Sequence, residues 1–157
     1  MVQEFSEPTA VFVKHANPSG IASHPDIAEA FQRAYDTDRL SAFGVIIALN
    51  KPCTEVIAKK LIDQKIFTEI IVAPAFEEAA LALLSSKTNL RLLQVDPAFV
   101  SDPVLYRSAF GGFLAQDDDR SILDPKKLVC VTKKQLTAEQ LRDLLFAWNV
   151  VKHAKSN

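Results

Sequence analysis

The sequence has few of the features on which disulfide frameworks, nucleic-acid-binding surfaces and membrane spans depend. Its 157 residues include two cysteines, Cys53 and Cys130, without Cys-x-x-Cys spacing, so reduced thiols fit better than a disulfide framework. A formal net charge of -1 provides no polybasic field for nucleic acid or anionic lipid. No apolar run approaches a membrane span, and the polar, acidic N-terminus is no signal peptide. We therefore expect a cytoplasmic protein without nucleic-acid or membrane partners.

What is present is the composition of a globular domain. Hydrophobic residues make up 48% of the chain and charged residues 24%, which is ordinary for a soluble protein. A chain of 157 residues is long enough to bury a core and too short to divide comfortably. These values predict a single domain over residues 1–157.

Apolar runs alternate with helical patterns along the first part of the chain. Strands are predicted at 9–13, 45–49, 67–73 and 89–95, because each run is rich in apolar and β-branched residues. Helices are predicted between them, starting at 23–26, after a cap at Thr54, and over 75–87. This order predicts an α/β fold in which a mostly parallel mixed sheet lies between helices.

The rest of the chain is less regular. Candidate strands cover 104–109 and 113–116, and a last short strand is predicted at 128–132. The final helix begins with a capping box at Thr137 and Gln140. Its apolar stripe predicts a buried face formed by Leu141, Leu144, Leu145, Trp148 and Val151. Because the chain then stops without a helix stop signal, we expect that it is truncated there.

The candidate site is an ionisable pair, Lys14 and His15, directly after the first predicted strand. Residues 17–20, Asn-Pro-Ser-Gly, predict a turn, because proline lacks a ladder donor and glycine tolerates positive φ. The pair should then lie at the carboxyl end of a buried strand, where open α/β sheets bind ligands. The alternative is a solvated strand-end lysine and a loop histidine with local hydrogen bonds.

Five segments in order resemble the AICAR transformylase family, the formyltransferase half of a bifunctional enzyme that ends purine synthesis. They are Lys14-His-Ala-Asn-Pro-Ser-Gly20, Ser41-Ala-Phe-Gly-Val-Ile-Ile-Ala-Leu-Asn50, Glu69-Ile-Ile-Val-Ala-Pro74, Gly111-Gly-Phe-Leu-Ala-Gln-Asp117 and Val151-Lys-His-Ala-Lys-Ser-Asn157. The resemblance covers nearly the whole chain. It implies a cytidine-deaminase-like three-layer domain, the first of two such halves in the family, without the cyclohydrolase domain that precedes them.

The resemblance also implies a reaction, the transfer of a formyl group from 10-formyltetrahydrofolate to the 5-amino group of AICAR, in a parent enzyme that is a homodimer. By motif, Lys14 and His15 match the family's catalytic pair. An imidazole can accept the proton of the amine, and an ammonium can stabilise the oxygen that becomes negative. Asn157 matches an asparagine that orients substrate, and we expect three further residues near the substrate: Asn17, Phe43 and Gly44.

Two positions depart from the family pattern. Ser19 stands where many bacterial relatives have cysteine, and Val45 stands where relatives often have glycine or aspartate. Gly44 is open to a second interpretation, a kink where the chain enters a strand. His153 and Asn157 are four residues apart and would share a helix face if the final helix continued that far.

Two further alternatives concern the function itself. A zinc nucleoside deaminase needs His-x-Glu or Cys-x-Glu together with Pro-Cys-x-x-Cys. Pro52-Cys53 has no second cysteine at that spacing and no His-x-Glu occurs, so no metal is predicted. The other alternative is a folded fragment without turnover, a binding or assembly module that needs the half of the enzyme that is missing here.

Overall fold

Residues 1–97 with 153–157 form one unit of the computed structural model, and residues 98–152 form another. The structure describes residues 1–99 and 102–155. The extent of a single domain over 1–157 stays a prediction.

The first unit is built on a five-stranded sheet with the order β2-β1-β3-β4-β5. Its strands are β1 Thr9–Val13, β2 Pro18–Ser23, β3 Val45–Leu49, β4 Thr68–Ala73 and β5 Arg91–Gln94. Its helices are α1 Ile27–Thr37, α2 Glu55–Asp63 and α3 Glu78–Leu84. The α/β class and the mixed sheet are confirmed, while β4, β5 and α3 are shorter than predicted.

The main error of the sequence analysis concerns the segment after β1. Residues 14–17 form the hairpin loop, and residues 18–23, predicted to begin with a turn, form β2 antiparallel to β1. Pro18 is tolerated because β2 is an edge strand, where a missing donor need not cost a ladder hydrogen bond. Gly20 allows close packing of α1, since a Cβ there would lie 2.0 Å from the carbonyl oxygen of Ala34.

The direction of β1 also differs from the prediction. β1 runs antiparallel to β3 as well as to β2, whereas β3, β4 and β5 are parallel. Val13, the last residue of β1, pairs with Ile46 near the start of β3. The hairpin loop therefore lies at the end of the sheet where β3 begins, and not at the carboxyl ends of the parallel strands.

One face of the sheet carries the core of this unit. Alternate residues of β1, β3 and β4 join side chains from all three helices in one buried cluster. Phe12 packs against Phe31 of α1 with 5.2 Å between the ring centroids, and the Thr54 side chain caps α2 as predicted by accepting from the Ile57 amide at 3.4 Å. A helical layer on the other face of the sheet stays a prediction.

The second unit consists of a β-hairpin, a 3₁₀ helix and one α-helix. β6 Val104–Ala109 and β7 Gly112–Asp117 pair antiparallel, Pro125–Lys127 is the 3₁₀ helix, and α4 is Ala138–Val151. The predicted capping box is confirmed, since the Thr137 hydroxyl accepts from the Gln140 amide at 3.2 Å and the Gln140 side chain accepts from the Thr137 amide at 3.1 Å.

Two predictions for this part of the chain are wrong. Residues 128–132 form no strand, because a strand needs a ladder partner as well as an apolar run. The stripe on α4 is not buried: Trp148 is 58% exposed, and Leu141, Leu144, Leu145 and Trp148 line an apolar groove of about 400 Å³ within the unit. α4 ends at Val151, so the condition under which His153 and Asn157 would share a helix face is not met, and Asn157 lies outside the described residues.

Candidate functional site

The hairpin loop between β1 and β2 carries the predicted catalytic pair. The Lys14 amide donates to the Asn17 carbonyl at 2.8 Å and closes the loop. The register of the hairpin shifts between Phe12 and Val13, and the Ser19 hydroxyl donates to the Phe12 carbonyl at 3.3 Å. The peptide bond between Lys14 and His15 is cis. The chain therefore reverses direction directly after β1, at the pair.

A polar cleft of about 600 Å³ surrounds the loop. Its volume lies within the range of small-molecule sites. The cleft is lined by Lys14, His15, Ala16, Asn17, Pro18, Ser19, Asp38 and Ser41, all in the first unit. The two residues predicted to be catalytic thus share one cleft, while their catalytic role stays a prediction.

Phe43 anchors the Lys14 side chain. The Lys14 ammonium donates to the Phe43 carbonyl at 2.5 Å and lies 5.7 Å from the centroid of the Phe43 ring. The contact follows from the antiparallel pairing of β1 with β3, because residue 43 lies two positions before Val45, the first residue of β3, and β3 begins beside the end of β1. Phe43 is therefore next to Lys14, and its expected place near the substrate stays a prediction.

Gly44 makes the bend by which the chain enters β3. Its φ is +68°, a conformation that residues with a Cβ adopt at a cost, and its amide donates to the Phe67 carbonyl at 2.8 Å. The kink interpretation of Gly44 is therefore confirmed, and close approach to a ligand stays a prediction. Val45, which departs from the family pattern, is buried in the core, so its side chain offers the cleft no polar group.

Two cleft residues, Asp38 and Ser41, were not recognised from the sequence. Asp38 follows α1 and accepts a hydrogen bond from the Ser41 amide at 3.0 Å. Hydrogen bonds from the Ser41 side chain and amide hold the pKa of the Asp38 carboxyl below its usual value, so the cleft contains a carboxylate at neutral pH. The signal that could have found them is the Asp-x-x-Ser spacing, which is typical of a local side-chain-to-backbone turn.

Asn17 joins the hairpin loop to the last described residues. Its amide nitrogen donates to the Lys155 carbonyl at 3.1 Å, and its amide oxygen accepts from the Lys155 amide at 3.1 Å. In the same segment His153 contacts the Glu4 carboxylate. Asn157 lies outside the described residues, so its predicted role is not tested, and a role for Asn17 in binding substrate stays a prediction.

The described residues 1–99 and 102–155 contain neither a metal-ligand cluster nor a membrane-spanning helix. In these ranges no group of three or more His, Cys, Asp or Glu side chains is placed to hold a metal ion. No helix in them has the length and apolar character needed to cross a membrane.

Several bacterial proteins are similar to this chain over its whole length. It is 46% identical over 158 residues to the bifunctional purine biosynthesis protein PurH of Limosilactobacillus reuteri, with 99% of this chain and 30% of that protein covered. The PurH proteins of Anoxybacillus flavithermus and Magnetococcus marinus are each 48% identical, with 100% of this chain and 30% of each protein covered. The chain thus spans about 30% of the length of these relatives.

A comparison with solved structures adds less. Acinetobacter baumannii RibD aligns with a TM-score of 0.43 and 16% identity over 55% of this chain and 28% of that one, a likeness too low to support an argument. The family comparison is decisive, because the match extends from the first residue to the last. Residues 1–157 match the AICARFT/IMPCHase bienzyme family, and the chain belongs to that family.

Proposed function

We propose that this chain carries the proton-transfer residues of a formyltransferase site in purine biosynthesis, with AICAR and 10-formyltetrahydrofolate as substrates. The observation that supports this most is that Lys14 and His15 line one polar cleft of about 600 Å³. Family membership supplies the reaction, since the relatives bear the name of a bifunctional purine biosynthesis protein.

His15 is assigned the role of general base. The amine of AICAR is conjugated to an imidazole ring and is a weak nucleophile, so its nitrogen bonds to the formyl carbon only as its proton is removed. His15 lines the cleft, and an imidazole is the side chain suited to this exchange near neutral pH. A positioned base of this kind contributes about 10²- to 10⁴-fold in rate.

Lys14 is assigned the stabilisation of negative charge. An ammonium has three N–H donors, one of which is given to the Phe43 carbonyl. A remaining donor can bind the formyl oxygen as it gains charge, and can pass a proton to the folate nitrogen as the bond from carbon to that nitrogen breaks. One such donor contributes about 10²- to 10³-fold.

The cytidine-deaminase-like three-layer arrangement belongs to this proposal as well. Its support is the face of the sheet opposite the core, where Ile46, Ala48, Ile70 and Val72 are apolar and only partly buried. A second layer of helices would bury these side chains, as two-layer burial of a sheet requires. Homodimer formation and a cytoplasmic location are proposed on family membership alone, and sedimentation of a full-length protein tests the former.

The competing proposal is a folded fragment without turnover, acting as a binding or assembly module. The observation in its favour is that the chain spans about 30% of the length of its relatives, while catalysis needs both substrates held against each other. Calorimetry of this chain with AICAR and with a folate analogue separates the two, together with an assay of formyl transfer by the chain alone. Robust turnover by the isolated chain would exclude the module.

The catalytic roles are tested in a grafted full-length protein, in which this chain replaces the matching region of the Anoxybacillus flavithermus relative. Lys14→Ala and His15→Ala should each lower kcat by roughly 10²-fold or more, with little change in unfolding midpoint because both residues line an open cleft. Lys51→Ala and His24→Ala are matched controls outside the described lining of the cleft. Wild-type turnover in both cleft variants would refute the assignment.

A further inference from the structure

Phe67 packs against Phe43, the residue whose carbonyl and ring contact the Lys14 ammonium. Phe67 immediately precedes β4, and it is not among the described lining residues of the cleft. Its ring centroid is 4.9 Å from that of Phe43, with 52° between the ring planes, a tilted geometry that aromatic pairs favour. The two rings stand outside the core, since Phe43 is 63% exposed and Phe67 is 44% exposed.

The main chain that follows Phe43 is also hydrogen-bonded to Phe67. The amides of Gly44 and Val45 both donate to the Phe67 carbonyl, at 2.8 Å and 3.4 Å. The Phe67 ring also lies beside Gly44, at 3.5 Å from an ideal Cβ built there, which is an ordinary van der Waals distance. Residue 67 therefore holds both the ring and the main chain of the segment that contacts Lys14.

We infer that Phe67 is a positioning residue for the formyl transfer proposed above, on which this inference rests. Phe67 orients Phe43, and Phe43 in turn fixes the Lys14 ammonium through its carbonyl and its ring. Any residue at position 67 provides the backbone carbonyl, so the specific contribution of phenylalanine is the ring. Without that ring Phe43 can rotate into solvent, and the ammonium is no longer directed at one point of the cleft.

The alternative for Phe67 is ordinary packing at the end of the sheet. A packing role predicts loss of stability in proportion to lost apolar contact, with no selective effect on turnover. A positioning role predicts a fall in kcat with an unchanged KM for the nucleotide, because the charge on Lys14 is needed where negative charge develops and less in the ground state. The two roles also respond differently to tyrosine, which keeps the ring.

The test uses the grafted full-length protein and the variants Phe67→Leu and Phe67→Tyr. Phe67→Leu retains an apolar side chain and should lower kcat about tenfold, since small misplacements of a catalytic group are costly, while the nucleotide KM changes less than about twofold. Phe67→Tyr keeps the aromatic ring and should leave kcat within about twofold of the wild-type value. Phe110→Leu is the control for loss of an exposed aromatic ring.

A second variant guards against misfolding. Phe43→Leu keeps the carbonyl that Lys14 contacts and loses the ring, so it should lower kcat by a similar factor, and the double variant should be no worse than either single one. Normal kcat in Phe67→Leu while Lys14→Ala is inactive would overturn this inference alone. Full activity of Lys14→Ala and His15→Ala would overturn the proposed function and this inference together. Equal losses in Phe67→Tyr and Phe67→Leu would also overturn it.

Discussion

The two units of the chain have equally clear local patterns and very different interiors. In the first unit, Phe12, Ile47, Leu61 and Ile71 are fully buried in one cluster. In the second, no described residue is buried, although β6, β7 and α4 form with regular hydrogen bonds and a complete capping box. Local patterning therefore specifies which elements form, while burial depends on surfaces that other parts of a protein supply.

The difference between the units also decides where chemistry can be held in place. The candidate cleft belongs to the first unit, and most of its lining residues lie on a hairpin whose strand β1 is buried. A two-stranded hairpin such as β6–β7 is marginal without packing on one face. Precise placement of catalytic groups requires a rigid support, which the first unit has and the described part of the second lacks.

The largest difference between the units is expected in the reactivity of their cysteine thiols, because each unit contains one cysteine. Burial raises the pKa of the Cys53 thiol to about 12, with the Glu77 carboxylate adding to the effect. Cys130 is exposed, and its hydrogen bond with the Thr132 hydroxyl, at 3.4 Å, lowers the pKa of its thiol. Since thiolate is the reactive form, we expect Cys130 to react with a disulfide reagent at pH 7.5 roughly 10³-fold faster than Cys53, or more.

The pH dependence of the reaction rate tests whether the pKa of the Cys130 thiol is lowered. Its rate should rise with pH and level off at a lower pH than the rate of an ordinary thiol, and Thr132→Val should move that midpoint upward. In strong denaturant the two cysteines should react alike. Equal rates in the native chain would contradict the difference in burial between the units.

Gly20 in the first unit and Gly112 in the second allow the packing density of the two units to be compared. A Cβ at Gly20 would lie 2.0 Å from the backbone oxygen of Ala34, whereas a Cβ at Gly112 in β7 would meet nothing within 4 Å. Gly20→Ala forces α1 away from the sheet and should lower the free energy of unfolding by about 3 kcal/mol, the upper part of the usual range for overpacking. Gly112→Ala should change it by less than about 0.5 kcal/mol.

Urea unfolding followed by circular dichroism measures both glycine variants. Because the far-UV signal includes both units, the fluorescence of Trp148 on α4 provides a separate report on the second. If Gly112→Ala were as harmful as Gly20→Ala, the second unit would be packed far more closely than its exposure indicates.

Local features of the fold could be predicted from the sequence. β3 was predicted at its observed bounds because an unbroken apolar run of five residues is typical of a buried strand, the cap of α2 follows from Thr54, and the cap of α4 follows from the spacing of Thr137 and Gln140. The error at Pro18 and Gly20 has a non-local cause. Whether proline ends a strand depends on the strand being central or at an edge, and the close approach of α1 cannot be read from neighbouring residues.

The candidate site shows the same division. Lys14 and His15 were proposed from their place directly after an apolar run together with the family motif, and their catalytic role stays a prediction. Asp38 and Ser41 were missed because they reach the cleft through the packing of α1 and the pairing of β1 with β3, which join parts of the chain that are distant in sequence. The sequence therefore predicts the chemically distinctive pair and leaves the surrounding polar groups unassigned.

The smallest expected effect concerns two buried threonines of the first unit. The Thr68 hydroxyl is buried and has no hydrogen-bond partner among the described residues. The hydroxyl of Thr9 is also buried, but it donates to the Glu7 carbonyl at 2.9 Å and shares a 2.7 Å hydrogen bond with the Ser23 hydroxyl. Valine has nearly the same shape as threonine and lacks the polar group.

Thr68→Val should therefore raise the free energy of unfolding by about 1 kcal/mol, because it removes a polar group that loses water on folding without compensation. Thr9→Val should lower the free energy of unfolding by about 1 to 2 kcal/mol, since it leaves the Glu7 carbonyl and the Ser23 hydroxyl without this partner. Both variants are measured by urea unfolding under identical conditions. Opposite signs of these two changes in unfolding free energy would show that a buried hydroxyl in the first unit stabilises the fold only when it has a hydrogen-bond partner. Destabilisation of both by the same amount would mean that the Thr68 hydroxyl is hydrogen-bonded in solution.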